Sequence, residues 1–187
     1  MSLGGTSLNL HTLGPEGTNC AEAARFWLSR SSPAARSAED RIVLHPTLEL
    51  ASLELADPER DRLLSCAAYP ELHTFIFSRL DRLVMTDAFV MPTHAMVLAR
   101  QQTVAPDSGR APVIATHPAP RHLAESCAAE GAEFIVATSN ADAAVRCAKG
   151  EADICVTTTA AARIYDLAVL QDFGPVPMAF LIHAMLP

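Results

Sequence analysis

The sequence is short of positive charge. Its 187 residues include 14 Lys and Arg against 21 Asp and Glu, which gives a formal net charge of -7 at pH 7. An acidic protein repels the phosphates of nucleic acids and the headgroups of anionic membranes. The composition therefore predicts no nucleic-acid partner and no membrane-surface function.

Long hydrophobic runs are also missing. Half of the residues are apolar, yet no stretch approaches the roughly 18 consecutive apolar residues that a membrane-spanning helix needs. The start of the chain lacks the basic and apolar regions of a signal peptide. We expect a cytoplasmic protein with enough apolar residues to bury a core, either in one domain or in two small lobes.

Cysteine and histidine spacings typical of metal or redox sites do not occur. The five cysteines are scattered without a C-x-x-C motif, and the seven histidines share no metal-ligand spacing. We therefore predict reduced thiols, mostly as small core residues, with no metal and no cofactor. The cysteines are Cys20, Cys66, Cys127, Cys147 and Cys155.

Motifs for nucleotide binding and serine hydrolysis are missing as well. The sequence contains no G-x-x-x-x-G-K-[ST] phosphate loop, no G-x-G-x-x-G turn and no G-x-S-x-G elbow. Nucleotide binding and a serine-hydrolase triad are therefore disfavoured.

What the sequence does contain is a recurring local pattern. A short apolar run ends in small or hydroxyl residues and then opens into an Ala-rich stretch, which predicts β-turn-α units. Alternation of such units indicates an α/β fold with mainly parallel sheets, whose ligands gather at the carboxyl ends of the strands. The paired strand and helix segments are 8–13 with 20–30, 113–115 with 119–130, and 134–137 with 141–149.

Other segments predict the domain organisation. The polar stretch 101–112 contains three Pro and Gly residues at 106, 109 and 112 and is predicted to be an exposed loop between two lobes. The apolar stretch 89–99 is predicted to be a strand that passes from the first lobe to the second. The stretch 178–185 is predicted to be the strand that passes back, so that the two strands form the hinge. The expected bounds are 1–90 plus about 172–187 for the first lobe and hinge, and 91–171 for the second lobe.

Hydroxyl or amide residues stand at the first turn of several predicted helices. Helix N-termini offer backbone N–H groups and a positive dipole end, worth ~0.3 to 1 kcal/mol to a nearby anion, so they bind carboxylates or phosphates. Asn19, Ser139 and Thr159 are the candidates. Taken singly, each is better explained as an ordinary N-cap without a ligand.

Two strand ends carry more specific residue combinations. The G-P-E-G-T sequence at 14–18 places two glycines around a proline, which gives a tight turn that brings the backbone close to a ligand. The T-H-P sequence at 116–118 places His117 at a strand end, before a proline suited to the first helical position. His117 could transfer a proton, donate to a carboxylate or only help to cap the helix.

Several of these motifs, in their order along the chain, resemble those of prephenate dehydratases. They are L-G-P-E-G-T at 13–18, T-H-P at 116–118, S-N-A-D-A-A at 139–144 and the tract 161–167 with Tyr165. The resemblance covers nearly the whole chain. It implies a two-lobed fold like that of type II periplasmic binding proteins, with the substrate in a cleft between the lobes.

The last predicted strand departs from the dehydratase pattern. Dehydratases carry Thr-Arg-Phe where this chain has Met178-Ala179-Phe180, and a methionine cannot donate a proton to a leaving hydroxyl. The ACT domain that commonly follows in dehydratases is not expected. In these respects the chain is more similar to the prephenate decarboxylases of antibiotic pathways such as bacilysin and anticapsin biosynthesis. They also share the G-P-E-G-T loop, a His-x-Thr at 45–47, the His-Pro at 117–118 and the Pro-Met at 177–178.

This resemblance implies a lyase that removes the ring carboxylate of prephenate and protonates a ring carbon. The hydroxyl is kept, so the product is a non-aromatic dihydro-4-hydroxyphenylpyruvate of secondary metabolism. A prephenate dehydratase that gives phenylpyruvate, and a non-catalytic module that binds or senses a small acid, are the alternatives. The expected partner is prephenate or a similar small dicarboxylate, and an exposed strand edge could support a homodimer.

The resemblance also implies residue roles. His117 is the preferred proton donor, with Glu16 or a bound water as rivals. Glu16 could instead be a solvated turn residue. Met178 and Phe180 would form an apolar wall against the departing carboxylate. The expected substrate-binding residues are Gly17, Thr18, Asn19, the backbone amide of Cys20, Thr47, Pro118, Ala119, Ser139, Asn140 and Phe180.

Overall fold

The computed structural model describes residues 7–30, 40–102 and 110–186. In chain order the elements are β1 (Asn9–Leu13), α1 (Asn19–Arg30), β2 (Arg41–His45), α2 (Leu48–Leu53), β3 (Asp61–Cys66), α3 (Leu72–Phe77), β4 (Leu83–Pro92), β5 (Met96–Gln101), β6 (Val113–Thr116), α4 (Arg121–Cys127), β7 (Glu133–Val136), α5 (Asn140–Ala148), β8 (Ile154–Thr158), α6 (Thr159–Ile164), β9 (Leu167–Gly174) and β10 (Pro177–Met185).

These elements form two compact units. Unit 1 comprises Met1–Met91 and Pro177–Pro187, and unit 2 comprises Pro92–Val176. Each unit contains its own five-stranded sheet with helices. The predicted two-lobed α/β fold is confirmed. Among the described residues, no helix has the length and apolar character needed to span a bilayer.

The sheet of unit 1 has the strand order β2-β1-β3-β10-β4. Strands β1, β2 and β3 are parallel, and β10 runs antiparallel to β3. Because side chains alternate between the faces of a strand, neighbouring residues enter different cores. Leu10 and Leu64 pack with the alanines of α1, whereas Leu63 packs with Leu48 of α2 and Phe75 of α3. Burying each such large apolar side chain contributes ~1.5–3 kcal/mol.

The sheet of unit 2 has the strand order β7-β6-β8-β5-β9. Strands β6, β7 and β8 are parallel, and β5 runs antiparallel to both β8 and β9. On one face, Ala143, Ala144 and Cys147 of α5 pack against Val97 and Ala115. These small residues let α5 lie close to the sheet.

Both sheets are mixed, whereas the sequence predicted mainly parallel sheets. Each sheet combines three parallel strands with antiparallel ones. The antiparallel pairs are β3 with β10 in unit 1 and β5 with β8 and β9 in unit 2. Strands β5 and β10 are the first strands after the chain passes from one unit to the other.

The observed unit bounds differ from the predicted lobe bounds. Residues 172–176 belong to unit 2, because β9 pairs with β5 as far as Gly174. The segment 101–112 connects β5 to β6 within unit 2 and does not link the lobes. Its residues 103–109 lie outside the described part of the chain. The strand predicted at 89–99 is two strands, since β4 ends at Pro92 and β5 begins at Met96.

Candidate functional site

In unit 1, the G-P-E-G-T loop follows the carboxyl end of β1 beside the end of β2. The N–H of Gly14 donates to the carbonyl of His45 at 2.9 Å. A Cβ on Gly14 would stand 3.1 Å from the Cβ of Leu44, so a larger residue would press the loop away from β2. Gly17 has φ of 80°, a region that favours glycine. Both glycines therefore serve the turn that leads from β1 into α1.

Thr18 caps α1. Its hydroxyl donates to the carbonyl of Leu13 at 3.3 Å and accepts from the N–H of Ala21 at 3.3 Å. The predicted role of this hydroxyl in substrate binding competes with that capping role. The first-turn amides of α1, at Asn19 and Cys20, lie at the positive end of a 12-residue helix.

The thiol of Cys20 is a core group. It is buried in the apolar cluster of unit 1. Its hydrogen bond with Cys66 and its burial raise the pKa of the Cys20 thiol well above the ordinary value. A thiol that resists ionisation is a poor nucleophile. At this edge of the sheet, the candidate ligand-binding group of Cys20 is therefore its backbone amide.

Glu16 occupies a solvated position in the loop. Its carboxylate is paired with Arg25, which also binds Glu22 at 2.6 Å. Both side chains of the Glu16–Arg25 pair are largely exposed, and such pairs contribute little to stability. This geometry supports the interpretation of Glu16 as a solvated turn residue.

Three further residues predicted for the site lie elsewhere in unit 1. Thr47 is the N-cap of α2, and its hydroxyl accepts from the N–H of Leu50 at 3.2 Å. Met178 is partly buried on β10 and packs against the core cluster that includes Phe180. Phe180 itself is completely buried and stacks on Phe89 with ring centroids 5.6 Å apart. The prediction that Phe180 contacts substrate is therefore corrected: its side chain is core.

In unit 2, the two predicted loops lie next to each other. Strands β6 and β7 end in register, with Thr116 opposite Val136, and the N–H of Ala137 donates to the carbonyl of Thr116 at 2.9 Å. The T-H-P sequence at 116–118, at the end of β6, and the segment Thr138-Ser139-Asn140, which follows β7, therefore share one edge of the sheet. Parallel strands place their ligand-binding loops at this edge.

His117 accepts a hydrogen bond from the backbone. The N–H of Ala119 donates to its Nδ1 at 3.2 Å, and burial lowers the pKa of His117 below the ordinary value. The ring is therefore neutral at neutral pH and organises the turn before α4. Because α4 begins at Arg121, Pro118 and Ala119 lie in this turn. The amide of Ala119 is used by His117, which corrects its predicted role as a carboxylate ligand.

Ser139 and Asn140 open α5 in different roles. Ser139 is the N-cap, and its hydroxyl accepts from the N–H of Asp142 at 3.0 Å. The carboxylate of Asp142 accepts in return from the N–H of Thr138 at 2.9 Å. Asn140 is different, because its Oδ1 is buried and has no hydrogen-bond partner among the described residues. Burying such an oxygen without a donor costs ~1–3 kcal/mol, so a ligand donor would satisfy it.

Known proteins similar to this chain are found both by sequence and by structure. No family model matches the chain. It is 23% identical over 173 residues to the prephenate decarboxylases of Bacillus subtilis (strain 168) and of Bacillus amyloliquefaciens, covering 92% of this chain and 84% of each relative. The chain is similar to prephenate decarboxylases over most of its length.

Solved structures show the same fold. Prephenate dehydratase from Arthrobacter aurescens in complex with L-Phe matches with a TM-score of 0.68 at 17% identity, and the match covers 96% of this chain. The chain spans 61% of that dehydratase. A second dehydratase, from Staphylococcus aureus, gives a TM-score of 0.60 at 10% identity. The periplasmic VFT2 domain of Bordetella pertussis BvgS gives 0.56 at 18% identity. The chain has a prephenate dehydratase-like fold.

Sequence reasoning missed one polar cluster in this fold. In unit 1, Nδ1 of His11 lies 3.0 Å from Nε2 of His45, and Nε2 of His11 lies 3.9 Å from a carboxylate oxygen of Asp61. The two imidazole rings stack with centroids 5.2 Å apart. The sequence marks His45 only as part of the His-x-Thr motif, and no local pattern marks His11 or Asp61, because the cluster depends on the pairing of β1 with β2 and β3.

Among the described residues, no group of three or more His, Cys, Asp or Glu side chains is arranged to hold a metal ion. Four of the cysteines nevertheless lie in two hydrogen-bonded pairs that their spacing in the sequence did not indicate. Cys20 is hydrogen-bonded to Cys66 in unit 1, and Cys147 to Cys155 in unit 2. All five are free thiols.

Proposed function

We propose that this protein is a prephenate decarboxylase. It releases the ring carboxylate of prephenate as carbon dioxide and gives a non-aromatic dihydro-4-hydroxyphenylpyruvate for antibiotic or related secondary metabolism. The observation that carries the proposal is the similarity to prephenate decarboxylases over 92% of the chain. The proposed compartment is the cytoplasm, which fits five free thiols.

The edge of unit 1 supports binding of a carboxylate. The G-P-E-G-T turn brings the amides of Gly17 and Cys20 to the N-terminus of α1, where the helix dipole favours an anion. The acidic residue of the first turn, Glu22, is paired with Arg25 at 2.6 Å, so its charge is partly compensated. The free N–H groups and the dipole at this helix end, and not the net charge of -7, would attract a carboxylate.

The edge of unit 2 supports binding of a hydroxyl group. Asn140 Oδ1 is buried without a donor among the described residues, and the ring hydroxyl of prephenate is a donor. The N-terminus of α5 also carries a carboxylate, Asp142, which accepts from Thr138 and is paired with Arg146 at 3.1 Å. We assign Asn140 to the ring hydroxyl, with neutral His117 as a further polar group at the same edge.

The residue at 178 favours decarboxylation over dehydration. Dehydration needs an acid that protonates the leaving hydroxyl, and neither Met178 nor Ala179 has a proton to donate. Met178 packs against the apolar core of unit 1, with Phe180 behind it as a core residue. An apolar surface destabilises a localised carboxylate more than the delocalised charge that forms as carbon dioxide leaves.

The proposal is tested by incubating the purified protein with prephenate and identifying the product by NMR before any acid is added, since acid aromatises the ring. Release of carbon dioxide with retention of the ring hydroxyl is the expected result. Phenylpyruvate would instead show a dehydratase, the alternative that the dehydratase-like fold favours. Saturable thermal stabilisation by prephenate without turnover would show a binding or sensing module.

A further inference from the structure

The cluster of Asp61, His11 and His45 leads from the interior of unit 1 to an edge of its sheet. Asp61 is 4% exposed and His11 is 6% exposed, whereas His45 is half-buried. His45 is the last residue of β2, and its carbonyl holds Gly14 at the start of the G-P-E-G-T loop. The outermost member of the cluster therefore stands beside the proposed carboxylate-binding turn.

The innermost member, Asp61, is held as a carboxylate. Burial opposes its ionisation, but N–H groups outweigh that cost and keep the pKa of Asp61 below its ordinary value. Its Oδ2 accepts from the backbone N–H of Ala56 at 2.8 Å and of Asp57 at 3.0 Å. Its Oδ1 accepts from the side-chain amide of Asn9 at 2.8 Å. The interior end of the cluster thus carries a fixed negative charge.

The middle member, His11, is held neutral. Burial lowers the pKa of His11 most strongly, and the nearby His45 lowers it further, while Asp61 and Glu54 oppose that shift. The carboxylate of Asp61, 3.9 Å from Nε2, favours the tautomer with the proton on that nitrogen. Nδ1 of His11 then accepts across the 3.0 Å contact, and Nε2 of His45 donates. Nδ1 of His45 takes no part in this contact.

We propose that His45 delivers the proton to the ring carbon, and that His11 and Asp61 are positioning residues that fix the tautomer and orientation of its ring. This inference rests on the proposed decarboxylation. It replaces the predicted donors: His117 is neutral and accepts from Ala119 at 3.2 Å, and Glu16 is paired with Arg25.

The step balances without a further reactant. The bond between the ring and its carboxylate breaks, carbon dioxide leaves, and the electron pair shifts the neighbouring ring double bond. The carbon at the far end of that double bond takes the proton from Nδ1 of protonated His45. His45 then regains a proton from water, so one proton is consumed for each carbon dioxide released.

A structural role is the competing explanation, since the cluster also ties β1 to β2 and β3. The charged and titratable groups that act on it are Asp61, Glu54 and His11. On the other side of Leu63, His183 of β10 contacts the hydroxyl of Ser65 at 2.9 Å, with both groups buried. Burial lowers the pKa of His183, so it adds no charge at neutral pH.

The test compares the full-length protein with His45→Gln and with the matched control His73→Gln, which lies in unit 1 with its side chain 75% exposed. Loss of a general acid lowers kcat by ~10²–10⁴-fold, so we expect at least about a 100-fold loss of kcat for His45→Gln, with KM within about threefold. His73→Gln should leave both constants unchanged. Added imidazole should restore turnover to His45→Ala, which a purely structural role would not allow.

A second variant tests the positioning pair. His11→Asn keeps a group that can bond to His45 but breaks the link to Asp61. We expect kcat to fall while KM stays within about threefold, because His45 is no longer held in the orientation that delivers the proton, whereas a loss of substrate binding would raise KM.

The outcomes separate the two proposals. If the wild type releases carbon dioxide from prephenate and folded His45→Gln keeps a third or more of kcat, the role of His45 is refuted and the decarboxylase stands. If every substitution at His45 and His11 unfolds the protein, as shown by circular dichroism, the cluster is structural and the inference fails. A wild type without turnover overturns both proposals.

Discussion

Replacing Phe180 by Ala tests whether this residue belongs to the core of unit 1 or to a surface that contacts substrate. Its side chain is completely buried and stacks on Phe89 at 5.6 Å between ring centroids. Truncating a buried Phe to Ala typically costs ~3–5 kcal/mol. Each 1 kcal/mol lowers Tm by about 2–4 °C in a chain of this size, so Tm should fall by about 6–20 °C.

The assay is thermal unfolding followed by circular dichroism, with and without prephenate. The matched control is Phe77→Ala in α3 of the same unit, where the side chain is 74% exposed. Replacing an exposed residue usually changes stability by less than about 0.5 kcal/mol, so Tm of this variant should stay within about 2 °C of the wild type.

A conservative variant completes the test. Phe180→Leu keeps most of the apolar volume, and such swaps usually cost less than about 1.5 kcal/mol. Because Phe180 does not face solvent, KM for prephenate should change by less than about threefold, well short of the tenfold that 1.4 kcal/mol of binding energy represents. The reasoning is refuted if Phe180→Ala leaves Tm unchanged, or if Phe180→Leu raises KM strongly without changing Tm.

Three further predictions concern binding, reaction type and pH. Asn140→Leu removes the unpartnered oxygen and the proposed bond to the ring hydroxyl, so KM should rise by about 5- to 100-fold with Tm unchanged or higher; an unchanged KM in steady-state kinetics would remove Asn140 from the site. Met178→Thr with Ala179→Arg should give traces of phenylpyruvate detectable by chromatography, and their complete absence in a folded variant would count against the alignment of β10. Burial lowers the pKa of several histidines relative to the unfolded chain, so their contribution to stability is present above about pH 6.5 and is lost as pH falls through their folded-state pKa values. The urea concentration at the unfolding midpoint should therefore decrease from pH 7 to pH 5, and an unchanged midpoint would contradict this. These histidines are His11, His117 and His183.

The local β-turn-α units of this protein can be predicted from its amino-acid sequence. The apolar run of β1, the G-P-E-G-T turn and the Ala-rich helix α1 follow one another within 22 residues, and turn chemistry with hydrophobic periodicity is sufficient to predict such a unit. The same holds for Ser139 as the N-cap of α5, because a capping residue acts on amides only a few positions away. The order of the motifs predicted the likeness to prephenate dehydratases, and Met178-Ala179 in place of Thr-Arg predicted the similarity to prephenate decarboxylases.

The face that each strand residue occupies, and the contacts between residues far apart in the chain, depend on how the strands pair. Phe180 is core because β10 pairs antiparallel with β3, with Phe180 opposite Cys66. His11 reaches His45 and Asp61 because β1 lies between β2 and β3 in register. Side chains alternate along a strand, so a shift of one residue in register would move each of them to the opposite face. Register depends on packing between segments far apart in the chain, and local sequence patterns do not specify it.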